Sequence, residues 1–179
     1  MTSKLPIIVL SSPRTGSTIF AKNLSNEFNA KFFNEPSQQS NKQLHNFIRY
    51  SELSDQYVLK EHALNFIKFY GKDFISEKHT VIKIIRKNFV EQVLSIYVAN
   101  IRKKFYYDSK DFTPDTMPLD INVLVEQKEG IKRYNESLDS FFAHKTVVYE
   151  DCSFEEKDIF PTVKPLNYDE LYEWIRRNV

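Results

Sequence analysis

Residues 7–18 read Ile-Ile-Val-Leu-Ser-Ser-Pro-Arg-Thr-Gly-Ser-Thr, and the chain after them has helical periodicity. A short β-branched run feeds a turn that opens directly into a helix. A helix N-terminus leaves four backbone N–H groups without partners and carries partial positive charge. A turn that gathers those amides beside Arg14 and the hydroxyls of Ser17 and Thr18 is an anion trap. The unit constrains the fold strongly, because a strand delivered straight into a helix calls for a crossover and a parallel neighbour. Its ligand is expected to be a phosphate or sulfate ester.

The rest of the chain continues this alternation. Periodicity predicts strands over 5–10, 30–34, 56–61, 80–86 and 145–150. It predicts helices over 17–28, 41–52, 63–71, 88–104, 120–143 and 168–178. Phe20, Leu24 and Phe28 give the first helix its face; Tyr168, Leu171, Tyr172 and Ile175 give the last one its own. In the long helix the apolar positions are Ile121, Leu124, Val125, Ile131, Tyr134, Leu138 and Phe142. The expected fold is a three-layer P-loop-type α/β fold, a central parallel sheet flanked by helices, with residues 1–179 as one domain. Ligands of such sheets sit beyond the strand carboxyl ends. Ser11–Thr18, Glu35, His62 and Arg86 all fall there.

A second segment adds to the first. After the strand over 81–85 stand Arg86 and then Asn88, a predicted N-cap, with Glu91 three residues on as in a capping box. Phe89, Val93 and Ile96 define an apolar face, widened by Val90, Leu94 and Tyr97. At 100° per residue, Ser95 lies on the other side, nearly in line with Asn88. Arg86 and Ser95 can therefore address one spot above the strand end.

Pro13-Arg14-Thr15-Gly16-Ser17-Thr18 behind a buried strand resembles the 5′-phosphosulfate loop of the sulfotransferases that use 3′-phosphoadenosine 5′-phosphosulfate (PAPS). The step from Arg86 to Ser95, with Gln92 between, resembles the pattern of bacterial carbohydrate sulfotransferases. The resemblance covers about residues 5–151 and thins over 36–56 and 105–145. It implies that residues 13–18 hold the 5′-phosphosulfate and that Arg86 and Ser95 hold the 3′-phosphate. It also implies transfer of a sulfuryl group to a hydroxyl of a carbohydrate or small polar acceptor, with PAPS as co-substrate and no metal. Arg14 would stabilise the leaving phosphate. No counterpart is found of the C-terminal segment that closes over the nucleotide in cytosolic members.

Two residues compete for the general base. Glu35, in Phe-Phe-Asn-Glu-Pro, matches the carboxylate of the bacterial carbohydrate enzymes. His62, in Leu-Lys-Glu-His, matches the cytosolic histidine, with Glu61 where those enzymes have threonine. Glu35 is favoured because the loop and the Arg86–Ser95 spacing belong to its subfamily. Either residue also reads plainly as a cap of the element that follows it, and Lys60 reads equally as a sulfate contact or a solvated cation. Tyr-Glu-Asp at 149–151 resembles the end of the family's late core strand.

The alternatives are a P-loop nucleotide kinase and a catalytically degenerate nucleotide-binding protein of the same fold. The kinase loop ends in Gly-Lys-Ser/Thr, whereas Gly16 is followed by Ser17. A net charge of +1 offers no basic field for nucleic acid or an anionic membrane. Cys152 is the one cysteine, so no intrachain disulfide forms. The apolar run 5–10 contains Pro6 and is too short for a signal-peptide core. No stretch reaches the length of a membrane span, unlike the anchored Golgi sulfotransferases. A cytoplasmic location is expected. Three glycines and abundant Phe, Tyr, Asn, Ile and Lys point to an AT-rich bacterial or viral source. The turn-rich stretches 36–43 and 107–119 read as connections, the second also as a flap near the acceptor. An open acceptor cleft, or a homodimer that lines it with a second subunit, completes the expectation.

Overall fold

The computed structural model describes residues 5–103, 115–152 and 165–178. Five strands form one sheet: β1 Ile7–Ser11, β2 Lys31–Asn34, β3 Tyr57–His62, β4 Thr80–Ile85 and β5 Lys145–Val148. Their order is β2-β3-β1-β4-β5, and every pairing is parallel. β1 is central and buried throughout. Its side chains alternate as the pleat requires. Ile8 and Leu10 enter one apolar cluster with Phe47, Leu59 and Phe66. Ile7 and Val9 enter another with Ala21, Val58 and Ile82. Each such fully buried side chain contributes about 1.5–3 kcal/mol.

Helix α1, Ser17–Glu27, packs through Phe20 and Leu24 on the second cluster. The short α2, Pro36–Gln39, leads into α3, Asn41–Leu53. On the first face α3 and α4, Ala63–Phe69, are joined by the C-terminal end of α6, Ile121–Asp139. α5, Phe89–Arg102, α6 and α7, Tyr168–Asn178, share a third cluster that includes Val93, Leu94, Leu124 and Ile175. Helices thus cover both faces of a parallel sheet. The fold is a P-loop-type α/β fold. Among the described residues no helix is long and apolar enough to cross a membrane.

Several boundaries differ from the sequence expectation. The polar stretch 36–43 holds a turn of helix, because Pro36 suits a first helical position and Ser40 caps α3 by accepting from the Gln43 amide at 3.2 Å. α6 ends at Asp139, which leaves Phe142 outside it and 77% exposed. Ile121 and Val125 are exposed as well, so the core face of α6 is narrower than its apolar pattern. β5 stops at Val148, and Tyr149–Asp151 form a 3-10 turn. The capping box at α5 is half formed. The Asn88 side chain accepts from the Glu91 amide at 3.1 Å, but the Asn88 amide donates to Glu150 at 2.8 Å. Glu91 instead accepts from the Tyr168 hydroxyl and faces Arg86 at 3.5 Å. The flap reading of 107–119 lies outside the described residues as far as 114.

Candidate active site at the strand carboxyl ends

Register alone assembles the site. Ser11, the last residue of β1, pairs with His62, the last of β3. Asn34, the last of β2, pairs with Lys60. β1 has β3 and β2 on one side and β4 and β5 on the other. Its carboxyl end is therefore the crevice in which such sheets bind ligands.

The loop 12–16 turns twice through left-handed backbone, at Arg14 with φ 62° and at Gly16 with φ 66°. Gly16 precedes α1, and no side chain caps that helix. Gln92 supports the loop from α5. Its amide donates to Ser12 Oγ at 2.7 Å and to the Pro13 carbonyl at 2.6 Å. The Thr15 hydroxyl donates to the Ser12 carbonyl at 3.1 Å. Ser17 is buried and accepts from the Ser11 hydroxyl at 2.9 Å. The Thr18 hydroxyl reaches Asn34 Oδ1 at 3.4 Å.

Arg86 and Ser95 meet at Arg14. The Arg14 Nε donates to Ser95 Oγ at 2.9 Å, and Arg86 Nη1 donates to the Arg14 carbonyl at 3.1 Å. The Arg86 guanidinium also lies over the Tyr149 ring, 4.8 Å from its centroid. Both arginines are thus tied to the loop, Arg14 through its side chain on Ser95 and Arg86 at the Arg14 carbonyl. Such a pair suits a ligand with more than one negative charge.

Glu35, His62 and Lys60 form a second cluster beside the loop. Glu35 has φ 46° and ψ 50°, a left-handed conformation that costs a non-glycine residue about 1–3 kcal/mol. It occupies the cap position of α2, yet its side chain makes no cap bond. One oxygen accepts from the Lys60 ammonium and lies 3.3 Å from His62 Nε2. The opposite ring nitrogen, Nδ1, lies 3.4 Å from Ser11 Oγ. Burial, then the Lys60 charge, holds His62 well below the usual imidazole range, so it is neutral beside the carboxylate. Burial also lowers the Lys60 ammonium, against the opposing pull of Glu35 and Glu61. Lys60 is thus buried and ion-paired rather than solvated.

Neither Tyr134 nor Glu150 is given a role at the site by the sequence. The Tyr134 ring stands edge-on to His62 at 5.7 Å between centroids, on a helix whose period suggests only core. Glu150 fixes the start of α5 by accepting from the amides of Lys87 and Asn88. Among the described residues no group of His, Cys, Asp or Glu is arranged to hold a metal ion.

No protein-family model and no curated protein sequence matches the chain. Among solved structures it is similar to shikimate kinase from Aquifex aeolicus, with 17% identity, 96% of this chain and 94% of that chain covered, and a TM-score of 0.39. It is also similar to the YorR protein of Bacillus subtilis in complex with phosphorylated GDP, with 15% identity, the same coverage and a TM-score of 0.40. The first is described as a kinase, and neither as a sulfotransferase.

Proposed function

We propose that the chain is a sulfotransferase that moves a sulfuryl group from PAPS to a hydroxyl of a carbohydrate or similar small polar acceptor. The observation that carries this reading is the meeting of Arg14, Arg86 and Ser95 at one loop that has Ser17 where a kinase loop has lysine.

In this reaction the acceptor oxygen forms a bond to sulfur in line with the bridging oxygen of the donor. The bond from sulfur to that bridging oxygen breaks, and 3′-phosphoadenosine 5′-phosphate leaves. Charge builds on the departing phosphate. The Arg14 guanidinium and the α1 amides stabilise it. Arg86 and Ser95 hold the 3′-phosphate. The acceptor proton passes to Glu35, whose carboxylate is set between Lys60 and His62. His62, neutral and in contact with the same oxygen, is the other candidate for that proton.

Transfer of labelled sulfate from PAPS to a panel of sugars and small hydroxyl compounds tests the reading. Glu35→Gln is expected to lower transfer by about two to four orders of magnitude while leaving nucleotide binding intact. His62→Asn is expected to cost much less. The reverse pattern would make His62 the base. Labelling confined to steroids or peptide tyrosines would overturn the acceptor class.

The second reading is a P-loop nucleotide kinase. It requires magnesium-dependent ATP binding at the loop. Binding of either nucleotide with no transfer to any acceptor would leave the third, a catalytically degenerate binding protein.

A further inference from the structure

Glu61 is fully buried, yet nothing in the proposed chemistry uses it. Its side chain is nevertheless fully engaged. One oxygen accepts from the Ser37 hydroxyl at 2.6 Å and from the Ser37 amide at 3.4 Å. The other accepts from the His62 amide at 3.0 Å. The amides of Ser37 and His62 donate to it, while burial raises its carboxyl above the usual range against the pull of these bonds.

The position of Ser37 gives these bonds their meaning. It lies two residues after Glu35, inside the four-residue helix α2. The Glu35 amide donates to the Lys60 carbonyl at 2.8 Å, and the Glu35 carbonyl accepts from the Gln38 amide at 2.9 Å. Glu35 is thus gripped on the β3 side by its own amide and on the α2 side through Ser37. Pro36 between them has a fixed φ and no N–H. Left-handed backbone at glutamate is unfavourable by itself and persists only where the surroundings impose it. The part-buried Glu61–Ser37 bond is a side-chain tie from α2 itself to β3, beside the Lys60–Glu35 pair at its cap.

We propose that Glu61 is the positioning residue for Glu35. Through Ser37 it anchors α2 to the end of β3 and holds Glu35 in the left-handed conformation that brings its carboxylate to Lys60 and His62. The positional claim stands on this geometry; its effect on turnover rests on the sulfotransferase reading.

The test uses the full chain and two readouts. The first is the ¹⁵N NMR signal of the His62 ring, whose Nε2 faces Glu35. Ser37→Ala and Glu61→Ala should both shift it in the direction produced by Glu35→Ala. Glu61→Gln, which keeps an acceptor for Ser37, should restore much of the wild-type signal. The second is turnover with PAPS and the best acceptor of the panel. Ser37→Ala should lower kcat by about a hundredfold, the size of an ångström-scale misplacement. The dissociation constant of 3′-phosphoadenosine 5′-phosphate should stay within about twofold, because the Ser37 side chain bonds Glu61 and not the nucleotide loop. Ser37→Ala removes one half-buried hydroxyl, so it decides the matter even where Glu61→Ala fails to fold. A wild-type His62 signal in Ser37→Ala would overturn the proposal. Wild-type protein that transfers no sulfate would overturn the sulfotransferase reading, while the His62 signal still decides the role of Glu61.

Discussion

Ser95 accepts a hydrogen bond from the Arg14 guanidinium at 2.9 Å, across 81 residues of sequence. The bond joins the loop after β1 to the middle of α5. It fixes where the loop cation points, in a turn whose left-handed Arg14 backbone is already constrained.

Ser95→Ala removes that bond at a buried position without taking an apolar side chain from the core. A hydrogen bond to a charged group is worth about 1.5–3 kcal/mol. Affinity for 3′-phosphoadenosine 5′-phosphate should fall roughly tenfold to a hundredfold, and the urea midpoint should fall as well, because the bond is already made in the free protein. Calorimetry beside a urea titration checks both halves. A variant that binds as well as wild type would show that the Arg14–Ser95 bond does not serve the nucleotide.

Gln92 is the loop's internal support. Gln92→Leu would leave the Ser12 hydroxyl and the Pro13 carbonyl without that donor. The cost of such unpaired buried groups is about 1–3 kcal/mol. Urea unfolding should show a loss of that size, and a variant as stable as wild type would contradict the role.

Acid should destabilise the protein through its buried histidines. Burial first, then a lysine charge, lowers both His62 and His79 from the ordinary value of 6.5. The unfolded chain then binds protons more readily than the folded one. Their contribution is complete above the ordinary value and is lost as pH falls through it toward the folded values. One proton gives a slope of at most about 1.4 kcal/mol per pH unit. Unfolding free energy should therefore drop between about pH 7.5 and about pH 5.5, and His79→Gln should flatten the drop. Equal stability at both ends would contradict it.

The sequence made the sheet legible because β1 and β4 are parallel strands with dense apolar runs, because β3 opens on Tyr57, Val58 and Leu59, and because Gly16 marks the loop. Helical angle turns Arg86 and Ser95 toward the strand end, where each bonds Arg14, the one at its carbonyl and the other at its guanidinium. What the sequence hid depends on partners far along the chain. Glu91 looks like half of a capping box, but Glu150, 62 residues beyond Asn88, takes the Asn88 amide and frees Glu91 for Arg86 and Tyr168. Four residues of α2 are too few to show a period. The pairing of Lys60 with Glu35 spans two strands, so neither residue announces it. Phe142 fits a helical stripe by spacing alone, and the helix ends before reaching it.

The most direct measurement is calorimetric titration of wild type and Arg86→Ala with 3′-phosphoadenosine 5′-phosphate, 5′-AMP and ATP, with and without magnesium. The account predicts that wild type binds the 3′-phosphorylated nucleotide more tightly than ATP and without need of magnesium. Arg86→Ala should weaken that nucleotide about tenfold or more, by loss of a charged contact, and leave 5′-AMP nearly unchanged. Tighter binding of ATP that requires magnesium, with the 3′-phosphorylated nucleotide indifferent to Arg86, would contradict the account and favour the kinase.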